Sequence, residues 1–166
     1  TDPQRQCGVS SQRSVAHLRQ CLFLSGVNRK SVEHCITVEH EEDFILAKID
    51  ARLIVQVIIN IVDNAIKYTP KGSHIQIKTR KQDEHVIVTV ADDGEGIPDE
   101  LKPKVFDMFY SGANKIADSR RSLGLGLSLC KSIIHAHGGT ISVSDNIPHG
   151  TVFTFTLPAE EAQIHE

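Results

Sequence analysis

Residues 51–68 read ARLIVQVIINIVDNAIKY, and this run constrains the fold more than any other stretch of the chain. Its length and spacing predict a long helix. Asp50 stands where an N-cap belongs. Pro70 closes the run, because a proline disfavours helical backbone at the residue before it. Val57, Ile58, Ile61, Val62 and Ile66 make the helix apolar on most sides, so it has to be covered by a second layer. One stripe breaks that pattern. Asn60, Asn64 and Lys67 fall at i, i+4 and i+7, on one face, with Asp63 beside them. A lone polar stripe is ordinarily solvent-exposed surface. Asparagine, however, is a poor helix-interior residue, and Glu, Lys or Gln would serve exposure better. Amide oxygens beside an ammonium can ligate a hard cation and hold phosphates, which fits a Mg²⁺-nucleotide.

The second layer is visible as alternation. Ile75, Ile77 and Thr79, then Val86, Val88 and Val90, flank a polar turn at 81–84 and predict an antiparallel pair. Residues 140–144 and 151–157 predict another hairpin, around a turn at 145–150. Residues 35–39 and 44–49 flank the polar turn His40-Glu41-Glu42-Asp43 and predict a third. Further helices are expected at 11–25, 99–109 and from about 123 to 137. The expected class is α+β: a two-layer sandwich, with a mixed, mostly antiparallel sheet of about five strands under about three helices. Residues 1–10 read as a lead, 11–158 as one domain and 159–166 as an acidic tail. The chain opens at Thr1, so it is expected to be a piece of something longer.

A chain of 166 residues can bury a core without disulfides or metal. Lys+Arg is 18 and Asp+Glu is 21, a net charge of −3, which argues against a nucleic-acid domain held by a basic surface. Trp is absent and aromatics are 5%, too few for a single-strand stacking platform. No apolar run approaches the ~20 residues that span a bilayer. The first ten residues are too polar for a signal peptide. Cys7, Cys21, Cys35 and Cys130 contain no C-x-x-C, so no zinc or thioredoxin-like site is signalled. Cys21, Cys35 and Cys130 read as small core hydrophobes, and His135 and His137 as helix-end residues.

Two loops carry further chemistry. Asp92-Asp93-Gly94-Glu95-Gly96-Ile97-Pro98 follows a strand. Its glycines let backbone approach a ligand, and a carboxylate at the strand end can accept from an exocyclic amine. The acids stop after Glu95, so a calcium loop is discounted. Gly124-Leu125-Gly126-Leu127 opens a helix, where free N–H groups and the positive dipole end favour phosphate. Neither a Walker motif nor a Rossmann fingerprint is completed there. Of the run from Gly150 to Phe155, Thr151 alone is expected near a ligand.

In order, N-x-x-x-N-A-x-K-Y, D-x-G-x-G-I, F-x-x-F at Phe106 and Phe109, G-L-G-L and G-T-x-F-x-F resemble the ATP-binding catalytic domain of bacterial sensor histidine kinases. These belong to the wider gyrase, Hsp90, histidine kinase and MutL group. The resemblance covers residues 35–158. The phrasing from Asp50 to Leu53 and from Asn64 to Pro70 is most similar to the osmosensitive potassium-system kinases. The resemblance implies a Bergerat-type fold, ATP and Mg²⁺. It implies that Asn64, beside Asn60, ligates Mg²⁺, that Lys67 meets the terminal phosphates and that Tyr68 packs near the adenine. Asp92 would receive the adenine amine, with room from Gly94 and Gly96 and a wall from Ile97. Gly124, Gly126 and Leu127 would line the phosphates, Thr151 would support Asp92 through water, and residues 109–123 would form an ATP lid. Asn60, Asn64 and Lys67 would be the catalytic set. The implied partners are the dimerisation and phosphoacceptor domain of a parent kinase and a response regulator. That parent is expected at a bacterial inner membrane, with this domain on the cytoplasmic side.

Two departures stand out. Ser122 occupies the first glycine position of the second glycine box, and the phosphoacceptor box is missing, His17-Leu18-Arg19 being the nearest stretch. The competing readings are a hydrolytic clamp ATPase, which calls for an acid at position 60, a degenerate docking module and a serine-kinase regulator of the same fold.

Overall fold

The computed structural model describes residues 33–41, 45, 47–107 and 126–160. The expected helix at 11–25, Cys7, Cys21, Ser122, Gly124 and the lid at 109–123 lie outside them. The long helix forms as its sequence demands. Asp50 is extended, and its carboxylate accepts the N–H groups of Arg52 at 3.0 Å and Leu53 at 3.4 Å. Helix α1 then runs Ala51–Tyr68, and Thr69 turns extended ahead of Pro70. Ile54, Val57, Ile58, Ile61, Val62 and Ala65 are its buried face.

Five strands make one sheet: β1 (Cys35–His40), β2 (His74–Gln82), β3 (His85–Asp92), β4 (Ile141–Asp145) and β5 (Thr151–Pro158). Their order is β1-β2-β3-β5-β4. The expected β2–β3 and β4–β5 hairpins are antiparallel, and β3 pairs antiparallel with β5 as well. Period-two burial turns Val86, Val88 and Val90 of β3, with Phe153, Phe155 and Leu157 of β5, into the core under α1. Helix α2 (Gly126–Ala136) adds Cys130, Ile133 and Ile134. Each such side chain fully buried contributes about 1.5–3 kcal/mol. The two-layer α+β class therefore holds, with two α-helices and one 3-10 turn among the described residues.

Three expectations change. Strand β1 is no hairpin partner of 44–49: it pairs parallel with β2, Cys35 opposite His74 through His40 opposite Thr79. A parallel pair needs a crossover, and α1 supplies it; Ala47 makes one antiparallel bridge to Ala159 instead. The helix expected at 99–109 is only a 3-10 turn, Lys102–Lys104, within the described residues. Pro103 has no N–H to donate, and Lys102 is drawn aside to the carboxylates of Asp99 and Asp145. Cys35 is exposed, because alternation places it with Thr37 and Glu39 on the open side of β1.

Helices α1 and α2 run antiparallel. At one end His137 Nδ1 donates to the Ile133 carbonyl at 2.7 Å while its Nε2 accepts the Asp50 N–H at 3.1 Å. At the other, Asn60 Nδ2 reaches the Gly126 carbonyl at 3.4 Å. His135 and His137 are thus helix-end residues.

Candidate nucleotide site

Strand β3 ends at Asp92, and everything around that carboxylate holds it in one place. Asp92 is 7% exposed. Its Oδ1 accepts the Gly94 N–H at 3.0 Å and the Thr151 N–H at 3.2 Å. No hydrogen bond among the described residues uses Oδ2. Burial pushes the carboxyl above the usual range; the two N–H donors pull the other way, and the charge of Asp93 adds to the rise. Asp93 behaves oppositely. Its carboxylate takes the His74 N–H at 2.9 Å and lies 3.3 Å from the His74 ring. Although burial pushes it up, these donors hold it below the usual range. Neighbouring acids are thereby split into a buried acceptor and an outward-facing one. The expected water-mediated support from Thr151 is replaced by a direct backbone hydrogen bond, because β5 starts against the end of β3.

The turn between β4 and β5 wraps this strand end. Asn146 Nδ2 donates to the Asp92 carbonyl at 2.8 Å, and His149 Nδ1 donates to the Gly94 carbonyl at 3.0 Å. Gly150, at φ +115°, has no room for a side chain: a Cβ there would lie 1.9 Å from the Asp92 carbonyl oxygen. Gly96, at φ +82°, turns the loop against Gly150. Ile97 is half-buried against the core, as is Phe106, whose ring meets Phe153 edge-on at 6.0 Å.

Helix α1 brings the polar stripe to the same end of the sheet. Asn60 is engaged, accepting from Gln56 Nε2 at 2.8 Å while reaching Gly126. Asn64 is half-buried, and its amide makes no hydrogen bond among the described residues. Lys67 and Tyr68 are exposed, with the ammonium 5.2 Å from the ring centroid. Gly126 opens α2, where an added Cβ would meet no atom of the described residues within 4 Å, and half-buried Leu127 follows against the core. Of the twelve expected residues, eleven fall within the described structure, in two groups. Asp92, Gly94, Gly96, Ile97 and Thr151 cluster at the β3 end. Asn60, Asn64, Lys67 and Tyr68 line α1, with Gly126 and Leu127 at the start of α2, where Asn60 meets Gly126.

Residues 49–161 match the family of histidine kinase-, DNA gyrase B- and HSP90-like ATPases. The chain belongs to this ATPase family. Sensor protein KdpD of Clostridium acetobutylicum is 46% identical over 127 residues, 76% of this chain and 14% of KdpD. Sensor histidine kinase WalK of Bacillus subtilis is 40% identical over 118 residues, 70% of this chain and 19% of WalK. The chain therefore spans less than a fifth of these relatives. The solved catalytic domain of histidine kinase ThkA is similar in fold, with a TM-score of 0.75 and 32% identity over 88% of this chain and 93% of that one. ThkA in complex with response regulator TrrA gives 0.73 at 30% identity, over 92% of this chain and 42% of that one.

In this ATPase domain Asn146, His149 and Gly150 hold the end of β3 without having stood out in the sequence. An asparagine and a glycine in a polar turn look like any turn. Only the spacing of Gly150 directly before Thr151 hinted that the turn closes on something.

Proposed function

We propose that the domain binds Mg-ATP and passes the γ-phosphoryl group to a histidine on a separate dimerisation domain of a two-component sensor kinase. The observation that carries this reading is the Asp92 carboxylate: buried, pinned through one oxygen and holding the other without a hydrogen bond among the described residues. A base presenting an amine satisfies that oxygen, and adenine does. Gly94 and Gly96 give the base room, and Ile97 and Tyr68 pack near it. Lys67, with Gly126 and Leu127 at the start of α2 and Gly124 two residues before it in sequence, serves the phosphates.

Mg²⁺ fits the chemistry at Asn64. A half-buried amide with no hydrogen bond among the described residues is ready to give one oxygen, and Mg²⁺ needs only one or two from protein beside phosphate and water. When bound, the ion neutralises phosphate charge. The chain's own residues orient: Asp92 fixes the base, and Lys67 meets the terminal phosphates. A neutral imidazole is itself a competent nucleophile, so positioning is the domain's main task. An acid at position 60 would suit activation of water. Asn60 is a poor base whose amide is already engaged, which favours transfer over hydrolysis.

The sensor-kinase names of the relatives support a membrane-associated parent with this domain on the cytoplasmic side, and the ThkA–TrrA complex supports a response regulator as the downstream partner. The sequence holds no phosphoacceptor box, so the acceptor histidine is supplied from elsewhere. Calorimetry with ATP, with and without Mg²⁺, followed by phosphohistidine formation on an acceptor domain added in trans, tests the reading. Mg²⁺-dependent binding and transfer are expected. A domain that binds no ATP overturns it.

A further inference from the structure

We infer that Thr69, pinned by His34, is the positioning residue that sets the Asp92–Gly94 loop against the ligand-facing end of α1. The inference rests on the nucleotide reading above. Thr69 is the last residue before Pro70, and its hydroxyl lies 2.7 Å from the Ala65 carbonyl. A carbonyl can only accept, so the single hydroxyl proton goes there. The second contact, 2.9 Å to His34 Nε2, then has to be donated by the imidazole. His34 is itself clamped. Gly72 donates its N–H to the Glu33 carbonyl at 2.6 Å and Cys35 to the Ser73 carbonyl at 3.0 Å, so the backbone on both sides of His34 is tied to the loop after α1. His34 is 8% exposed, and its Nδ1 has no hydrogen-bond partner among the described residues. A buried ring retained with one nitrogen unsatisfied is held for the bond the other nitrogen makes.

What the pinned side chain does lies on its other branch. The Thr69 methyl faces Gly94 so closely that a Cβ on residue 94 would sit 2.8 Å from it. Gly94 in turn donates to Asp92 Oδ1. The methyl therefore sets how near the loop comes to α1, and with it the distance between the base-reading carboxylate and the helix face that carries Asn64, Lys67 and Tyr68. Because Thr69 is β-branched and bonded through its hydroxyl, the methyl cannot rotate away.

The contact is tested by a compensating pair. Gly94→Ala should weaken ATP binding about tenfold, since its methyl collides with that of Thr69 at 2.8 Å, the contact Thr69→Ser relieves, while the milder 3.1 Å approach to Asp92 Oδ1 remains in Gly94→Ala and in the double variant. Thr69→Ser, which keeps the hydroxyl and removes the methyl, should cost about threefold. The double variant should recover to within about threefold of wild type, a coupling expected only for groups in contact. ATP-over-GTP selectivity, measured by calorimetry on folded protein, should fall in Gly94→Ala and return in the double variant, which a general loss of stability does not produce. Melting temperatures of all four proteins read the same coupling without nucleotide. Wild type that binds no ATP removes the nucleotide reading. Additive losses, or a double variant that neither folds nor binds better than Gly94→Ala, overturn the role of Thr69 alone.

Discussion

Asp92→Asn replaces one oxygen by NH₂ and removes a charge at almost constant shape. Two backbone donors, Gly94 N–H at 3.0 Å and Thr151 N–H at 3.2 Å, converge on Oδ1. Only an oxygen can sit there, because turning the amide round would sacrifice two hydrogen bonds of about 1 kcal/mol each. The asparagine NH₂ must then take the place of Oδ2, and the atom facing the base changes from acceptor to donor. An adenine amine, also a donor, loses a charged hydrogen bond of about 1.5–3 kcal/mol, a tenfold to hundredfold drop in affinity. Inosine triphosphate, with a carbonyl in place of the amine, should lose far less and become the preferred ligand. The stability effect has the opposite sign. Burial pushes the Asp92 carboxyl above 3.8, so the folded protein holds this proton more tightly than the unfolded chain does. That contribution is full below 3.8 and is lost as pH rises through the raised value. Near neutrality the wild type therefore carries a disfavoured buried charge that asparagine lacks, and the variant should melt no lower. Calorimetry with ATP and inosine triphosphate, and melting curves from pH 4 to 8, measure both. ATP affinity within about threefold of wild type, or a variant that melts lower at pH 7, refutes the reasoning.

Asn64→Ala should remove Mg²⁺-dependent ATP binding and transfer without lowering the melting temperature. The amide makes no hydrogen bond among the described residues, and alanine is the better helix former by up to about 0.7 kcal/mol. Gly150→Ala should cost about 3 kcal/mol or more in denaturant unfolding, because φ is +115° and the new Cβ would lie 1.9 Å from the Asp92 carbonyl oxygen. Burial pushes the Cys130 thiol up to about 12, so iodoacetamide at pH 8 should leave it unmodified in folded protein while labelling exposed Cys35, as peptide mass spectrometry would read. By the same shift, stability should fall as pH rises from 9.0 towards 12, where the unfolded chain ionises first.

Local rules carried most of the architecture. Asp50 and Pro70 bracket α1 because capping and proline geometry act within a few residues. Strands β2 and β3 alternate cleanly because one face packs under the helices and the other does not. The partner of β1 was not legible. Six alternating residues pair equally well with a neighbour across a polar turn or with a strand some forty positions on, and only the crossing of α1 decides. The exposure of Cys35 was not legible for the same reason, since its side of the strand follows from that pairing. At the site, the stripe on α1 and the Asp92 loop stood out because asparagines and glycines are poor choices for their settings. The hold on Asp92 stayed hidden. Asn146, His149 and Gly150 act through backbone carbonyls more than fifty residues away, and turn composition does not record what a turn closes on.

The order of the sheet has a consequence for biosynthesis. Strand β5 lies between β3 and β4, yet it is the last of the five to leave the ribosome. Until residues 151–158 emerge, β3 has a bare edge of unpaired N–H and C=O groups, and Asp92 lacks the Thr151 donor. A nascent or prematurely terminated chain ending before residue 151 thus lacks one of the two donors that fix the Asp92 carboxylate and is open to strand addition by a neighbouring polypeptide. The proposed nucleotide site is thereby completed only by the last of the five strands to be made.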